Sequence, residues 1–123
     1  MPKQIKIVVG NMETQATLNE SMTAIKVWDI LPFTSRAMIW GDEIYFDIPL
    51  EMNLEKGASA VVQLGDLAYW PAGPSMCIFL GKTPVSEGNE IRAASAVNVF
   101  GKVTDVKALL RKVESGEKIT IKK

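Results

Sequence analysis

A chain of 123 residues, 47% hydrophobic and 23% charged, has the size and composition of one folded domain that buries a core without staples. Acids and bases balance at 14 each and histidine is absent, which removes a general pull toward nucleic acid or anionic lipid and excludes histidine acid–base work, Ser-His-Asp triads and Cys/His zinc sites. The single cysteine, Cys77, allows no intrachain disulfide, and Met1-Pro2-Lys3 opens a polar, strand-like segment without an apolar signal core, so a reducing, cytoplasmic setting is expected.

Lys3 to Val9 alternates polar and apolar side chains, and Gly10-Asn11 supplies a turn before Thr14 to Leu18, predicting an opening hairpin. From about Glu20 to Leu31 the period lengthens. Met22, Ile25, Trp28 and Leu31 recur every three residues, Thr17 or Asn19 offers an N-cap and Pro32 closes the segment, predicting an amphipathic helix. Arg36 to Trp40, Gly41-Asp42 and Glu43 to Asp47 read as a hairpin. A two-residue turn with glycine first suits type II′ and sets Trp40 opposite Glu43, Met38 opposite Tyr45 and Arg36 opposite Asp47, with Ile39–Ile44 and Ala37–Phe46 on the other face.

Pro49 to Lys56 is a connection ending at Gly57, followed by a strand from Ala58 to Leu64. The nearly uncharged stretch from Gly65 to Gly81 is broken by Asp66, Pro71, Gly73 and Pro74, so it lacks the ~20 apolar residues of a membrane helix and reads as two strands around a loop. Lys82 to Ala93 is the longest loop. A strand follows from Ala96 to Val103, then a helix capped by Thr104 with Val106, Leu109, Leu110 and Val113 at helical spacing, and a last strand from Lys118 to Lys122. The fold class is therefore mainly β: one domain over residues 1–123, a β-barrel of roughly eight strands with two helices.

Four runs carry a resemblance: Trp40-Gly41-Asp42-Glu43-Ile44-Tyr45-Phe46, Gly65-Asp66-Leu67-Ala68-Tyr69-Trp70-Pro71, Cys77-Ile78-Phe79-Leu80-Gly81-Lys82-Thr83-Pro84 and Ala93 to Lys102. With them the chain resembles the cyclophilin-like family of small bacterial and archaeal proteins of unknown function. The resemblance implies a closed or nearly closed barrel of about eight strands with a helix at each end and implies no reaction. Peptidyl-prolyl isomerases of the same fold are more distant. Their site glutamine falls on Met76, their proline-pocket phenylalanine on Ile78, their histidine on Val97 and their Trp-Leu pair on Arg92-Ala93, while Arg36 is no secure match for their arginine.

Cys77, mid-strand in an apolar run, reads as a buried small hydrophobe. Glu43 and Asp47 share a strand face and could bind a cation or act as an acid–base pair, but Arg36 opposite Asp47 favours a structural role there and leaves Glu43 the freer group, beside Trp40. The strand aromatics Trp40, Tyr45, Tyr69, Trp70, Phe79 and Phe100 are first of all core, with Trp70 placed to face a ligand because Pro71 ends its strand. Asn98 among apolar neighbours is a satisfied core amide or a pocket-lining group. Lys102, Lys107, Arg111, Lys112, Lys118, Lys122 and Lys123 alternate with acids and read as a solvated face.

The function expected is a binding module for a small molecule or peptide, without prolyl isomerase activity, at Trp40, Glu43, Tyr45, Tyr69, Trp70 and Asn98. No catalytic residue, metal or cofactor is assigned, and neither nucleic acid nor membrane is expected as a partner. A weak isomerase or another enzyme, and a structural or regulatory interaction protein that could form a homodimer, are the alternatives.

Overall fold

The structure is a computed structural model that describes residues 3–123, with nothing to add on the side chains of Arg111 and Lys112. The reading of Met1 and Pro2 lies outside the described residues. In chain order the elements are β1 (Gln4–Val9), β2 (Met12–Leu18), α1 (Met22–Asp29), β3 (Phe33–Arg36), β4 (Met38–Trp40), β5 (Glu43–Asp47), β6 (Ser59–Val62), β7 (Asp66–Trp70), β8 (Ser75–Phe79), β9 (Ile91–Val103), α2 (Val106–Lys112) and β10 (Lys118–Lys122).

The strands form one antiparallel sheet in the order β3-β10-β1-β2-β9-β7-β8-β5-β4, with β6 paired to β9 off this path. The two ends of that order, β3 and β4, are separated in the chain by Ala37 alone. Ala37 is fully buried, donates its N–H to the Glu117 carbonyl and accepts the Gly116 N–H. The sheet thus comes back on itself through a covalent corner, giving a mainly β, nearly closed barrel of the expected class.

This corner overturns one expected contact. Arg36 leaves the hairpin and pairs with Lys118 on β10, its guanidinium donating to the Gly116 carbonyl at 3.3 Å, so it does not stand opposite Asp47. Splitting the 33–40 segment at this bend also raises the strand count to ten, above the eight or so expected.

The barrel interior is filled by inward side chains of alternate strand positions, among them Ile5, Ile7, Phe46, Tyr69, Met76, Ile78, Phe100, Ile119 and Ile121, joined by Ala24, Val27 and Leu31 of the α1 segment and Leu109 of α2. Both helices are capped later than expected, α1 two residues after Asn19 and four after Thr17, and α2 one residue after Thr104. Ser21 caps α1 through the Ala24 N–H at 3.1 Å, and Asn19 in turn accepts the Ser21 N–H at 3.0 Å. Asp105 rather than Thr104 caps α2, through the Ala108 N–H at 3.1 Å. The buried stripe of α1 differs too, because Met22 and Ile25 are each 53% exposed while Thr23, Ala24 and Val27 are buried.

A second apolar cluster lies on the outer face of the sheet: Ala68, Cys77 and Phe79 from the barrel wall, with Val62, Ala93 and Val97 laid over them. β9 makes this possible. Its C-terminal part pairs with β2 and β7 inside the main sheet, while its N-terminal part pairs with β6. The chain expected to be loop up to Ala93 is strand from Ile91, so β9 is long enough to do both. No helix among the described residues is long and apolar enough to cross a membrane.

Candidate functional site

Strand alternation on β5 sends Ile44 and Phe46 into the barrel and Glu43 and Tyr45 to its outside. The hairpin register holds as expected, with Trp40 opposite Glu43 and Met38 opposite Tyr45. Gly41 has φ +62° and no non-glycine residue among the described residues has positive φ, so Asp42 does not, which fits a type II′ turn. On the other side of β5, Tyr45 faces Cys77 of β8, and Cys77 faces Ala68 of β7. Trp70, two residues along β7 from Ala68, shares that outer face.

These registers bring Trp40, Glu43, Tyr45, Trp70 and Cys77 to the floor and sides of one pocket of about 200 Å³. Its remaining lining comes from Ala93, Ala94 and Val97 of the overlying stretch of β9. Trp70 is half-buried, and its indole N–H donates to Ser95 Oγ at 2.6 Å, tying the pocket wall to β9 and leaving the ring to line the cavity.

Glu43 dominates the electrostatics. It is 5% exposed, and its Oε1 is the one buried side-chain oxygen or nitrogen without a hydrogen-bond partner among the described residues. Burial pushes its carboxyl up from 4.5 to about 7, partly offset by the neighbouring Cys77 thiol. Burial and the Glu43 charge together push the Cys77 thiol well above its ordinary range. A thiol so placed stays neutral, which keeps Cys77 a small apolar wall residue and no nucleophile.

Two sequence candidates lie elsewhere. Tyr69 follows Ala68 and therefore points inward, where it is 1% exposed. Its hydroxyl donates to the Leu50 carbonyl at 2.8 Å and accepts the Met52 N–H at 3.2 Å. Asn98 is its cross-strand partner and acts on the same connection, its side chain accepting the Glu55 N–H at 2.8 Å and donating to the Asn53 carbonyl at 3.1 Å. Both are clamps on the 48–58 connection, and Asn98 is the satisfied buried amide. Asp47, the other carboxylate of the expected pair, receives the Ser75 hydroxyl at 3.5 Å and no other donor among the described residues.

The pocket residues that sequence reasoning missed are Cys77, Ala93, Ala94 and Val97. Only the β5–β8 register could have pointed to Cys77, as the neighbour of Tyr45. The alanines carry no chemical signal at all. Among the described residues no cluster of three or more Cys, Asp or Glu side chains is arranged to hold a metal. Of the positions matched to the isomerase site, Met76 and Ile78 are fully buried in the barrel interior, and Val97 offers the pocket only an apolar surface. The basic residues include Lys102, bound to Asp66 at 3.3 Å, and Lys122, 3.8 Å from Glu13, each already beside an acid.

A sequence family described as cyclophilin-like matches residues 3–122 of the chain. The solution structure of the hypothetical protein AF2241 from Archaeoglobus fulgidus is 37% identical, with a TM-score of 0.81 over 98% of this chain and 94% of that one. The structure of McbB in complex with tryptophan superposes with a TM-score of 0.70 at 12% identity, over 97% of this chain and 44% of McbB, a likeness of fold. No curated protein matches at a significant level.

Proposed function

The chain belongs to the cyclophilin-like family, and from that premise we propose that it is a small-molecule binding module whose site is the outer-face pocket between β5, β7, β8 and β9. The observation that carries this reading is a buried carboxylate oxygen without a partner in the wall of an otherwise apolar, aromatic-lined pocket. Leaving a buried acceptor unpaired costs about 1–3 kcal/mol, so folding alone gives no reason to keep it there. A ligand that pairs with it would.

Size favours a small molecule over a peptide. A cavity of about 150 Å³ suffices for a benzene-sized guest. The 200 Å³ here suits one or two fused rings. Tryptophan, held by McbB, is a reasonable first probe on size alone. Prolyl isomerisation is not supported, because the matched Met76 and Ile78 cannot reach a substrate from the interior.

The experiment is a screen of compact ring compounds by thermal shift and by tryptophan emission. Trp28 lies outside the pocket, between the Lys3 and Lys123 ammonium groups, so a Trp28→Phe protein reports on Trp40 and Trp70 alone. A hit should quench or shift that emission, and Trp70→Ala should weaken binding. If no compound moves either signal, or if Trp70→Ala alters stability alone, the reading fails.

A further inference from the structure

Resting on the binding reading above, we propose that the pocket selects a compact aromatic ligand carrying a cationic nitrogen, whose N–H donates to Glu43 Oε1 while its ring lies among Trp40, Tyr45 and Trp70. Three features of the site argue for this class. Glu43 is 95% withdrawn from solvent, lines the cavity, and has an oxygen that no group among the described residues satisfies. The neighbouring Cys77 thiol is a weak donor, and a ligand in the cavity can bring a stronger one to this carboxylate.

The sign of the ligand follows from what surrounds the carboxylate. No lysine or arginine lines the pocket among the described residues. Arg92, next to Ala93 on β9, is held by Glu90 instead. At pH 8, where Glu43 is mostly ionised, an anionic ligand would meet it with no counterion, and charge repulsion at close range disfavours it. A cation meets the opposite: a carboxylate and a lining of three aromatic residues, a ring type whose π face attracts positive charge.

The test holds the ring constant and varies the charge. Tryptamine, indole and indole-3-acetate are titrated calorimetrically into the wild-type protein and into Glu43→Gln at pH 8. Tryptamine is expected to bind at least tenfold tighter than indole, and indole-3-acetate weakest. Glu43→Gln, which keeps the shape and the fold, should remove the tryptamine advantage and change indole binding less than about threefold. If indole binds but the acetate matches tryptamine, or if Glu43→Gln preserves the tryptamine advantage, the charge assignment is overturned while the pocket stands. If none of the three binds the wild-type protein, the inference falls together with the reading it rests on.

Discussion

The side-chain oxygen of Asn98 accepts the backbone N–H of Glu55 at 2.8 Å, joining the middle of β9 to the connection that leads into β6. The same side chain donates to the Asn53 carbonyl, so one amide satisfies two backbone groups of a segment with no ladder of its own. Asn98→Ala strands both groups and is expected to cost about 2–3 kcal/mol in urea unfolding. Because Asn98 does not line the pocket, the affinity of any pocket ligand should change less than about twofold. A variant as stable as the wild type, or one that loses ligand without losing stability, would return Asn98 to the site.

Glu55 extends that link to α1. Its carboxylate accepts the Met22 and Thr23 N–H groups at 3.2 and 3.0 Å, together with the Thr23 hydroxyl. These bonds, the hydroxyl's first, hold its pKa below the ordinary 4.5. A depressed carboxyl stabilises the fold above its unfolded pKa and loses that contribution as pH falls through the lower folded value. Glu55→Gln should therefore cost about 1 kcal/mol at pH 7, as loss of a helix cap and its charge does, and the gap to wild type should close under acid. Unfolding curves at pH 7 and pH 3 check both halves.

Gly41 positions the pocket from the turn. Its φ of +62° disfavours any other residue, and a Cβ there would stand 2.8 Å from the Lys82 carbonyl oxygen. Gly41→Ala should destabilise by about 1–3 kcal/mol and shift the Trp40 emission, because the turn fixes Trp40 opposite Glu43. An unchanged spectrum and melting temperature would show that the register is set elsewhere.

Local geometry explains which parts of this were legible. A two-residue turn determines its own flanks, so Trp40–Glu43 and Met38–Tyr45 could be paired from sequence. Arg36–Asp47 could not, because two residues beyond Met38 a non-local strand, β10, captures Arg36 at the Ala37 corner. In α1, residues 22, 25 and 28 are spaced by three and, at about 100° per residue, drift about 120° around the helix. Ala24 and Val27 stay within about 60° of arc and form the buried stripe, continued by Leu31 just past the helix end. Strict alternation separates Tyr69 from Trp70, so grouping them in one site overlooked a period of two. The bulge between Leu67–Gly101 and Ala68–Val99, and the folding of β9 over the outer face, depend on contacts between distant segments and left no sequence mark.

Glu43 carries the last prediction. Its folded pKa of about 7 lies above the ordinary 4.5, the reverse of the usual carboxylate case. The folded chain therefore binds the proton more tightly than the unfolded chain, and stability falls as pH rises from about 4.5 through about 7 before levelling off. The drop amounts to at most ~3 kcal/mol at ~1.4 kcal/mol per tenfold change. Cys77, the titratable β8 side chain that neighbours Glu43, stays neutral across this window because its own pKa is raised. Glu55 contributes only at lower pH. Glu43→Gln should abolish this slope and leave the variant more stable than wild type at pH 8 by up to that amount, as removing a buried unpaired charge does. Urea unfolding of both proteins at pH 5, 6, 7 and 8 measures it. Parallel curves for the two proteins would mean that the Glu43 carboxylate is already paired, and would remove the reason for a cationic ligand.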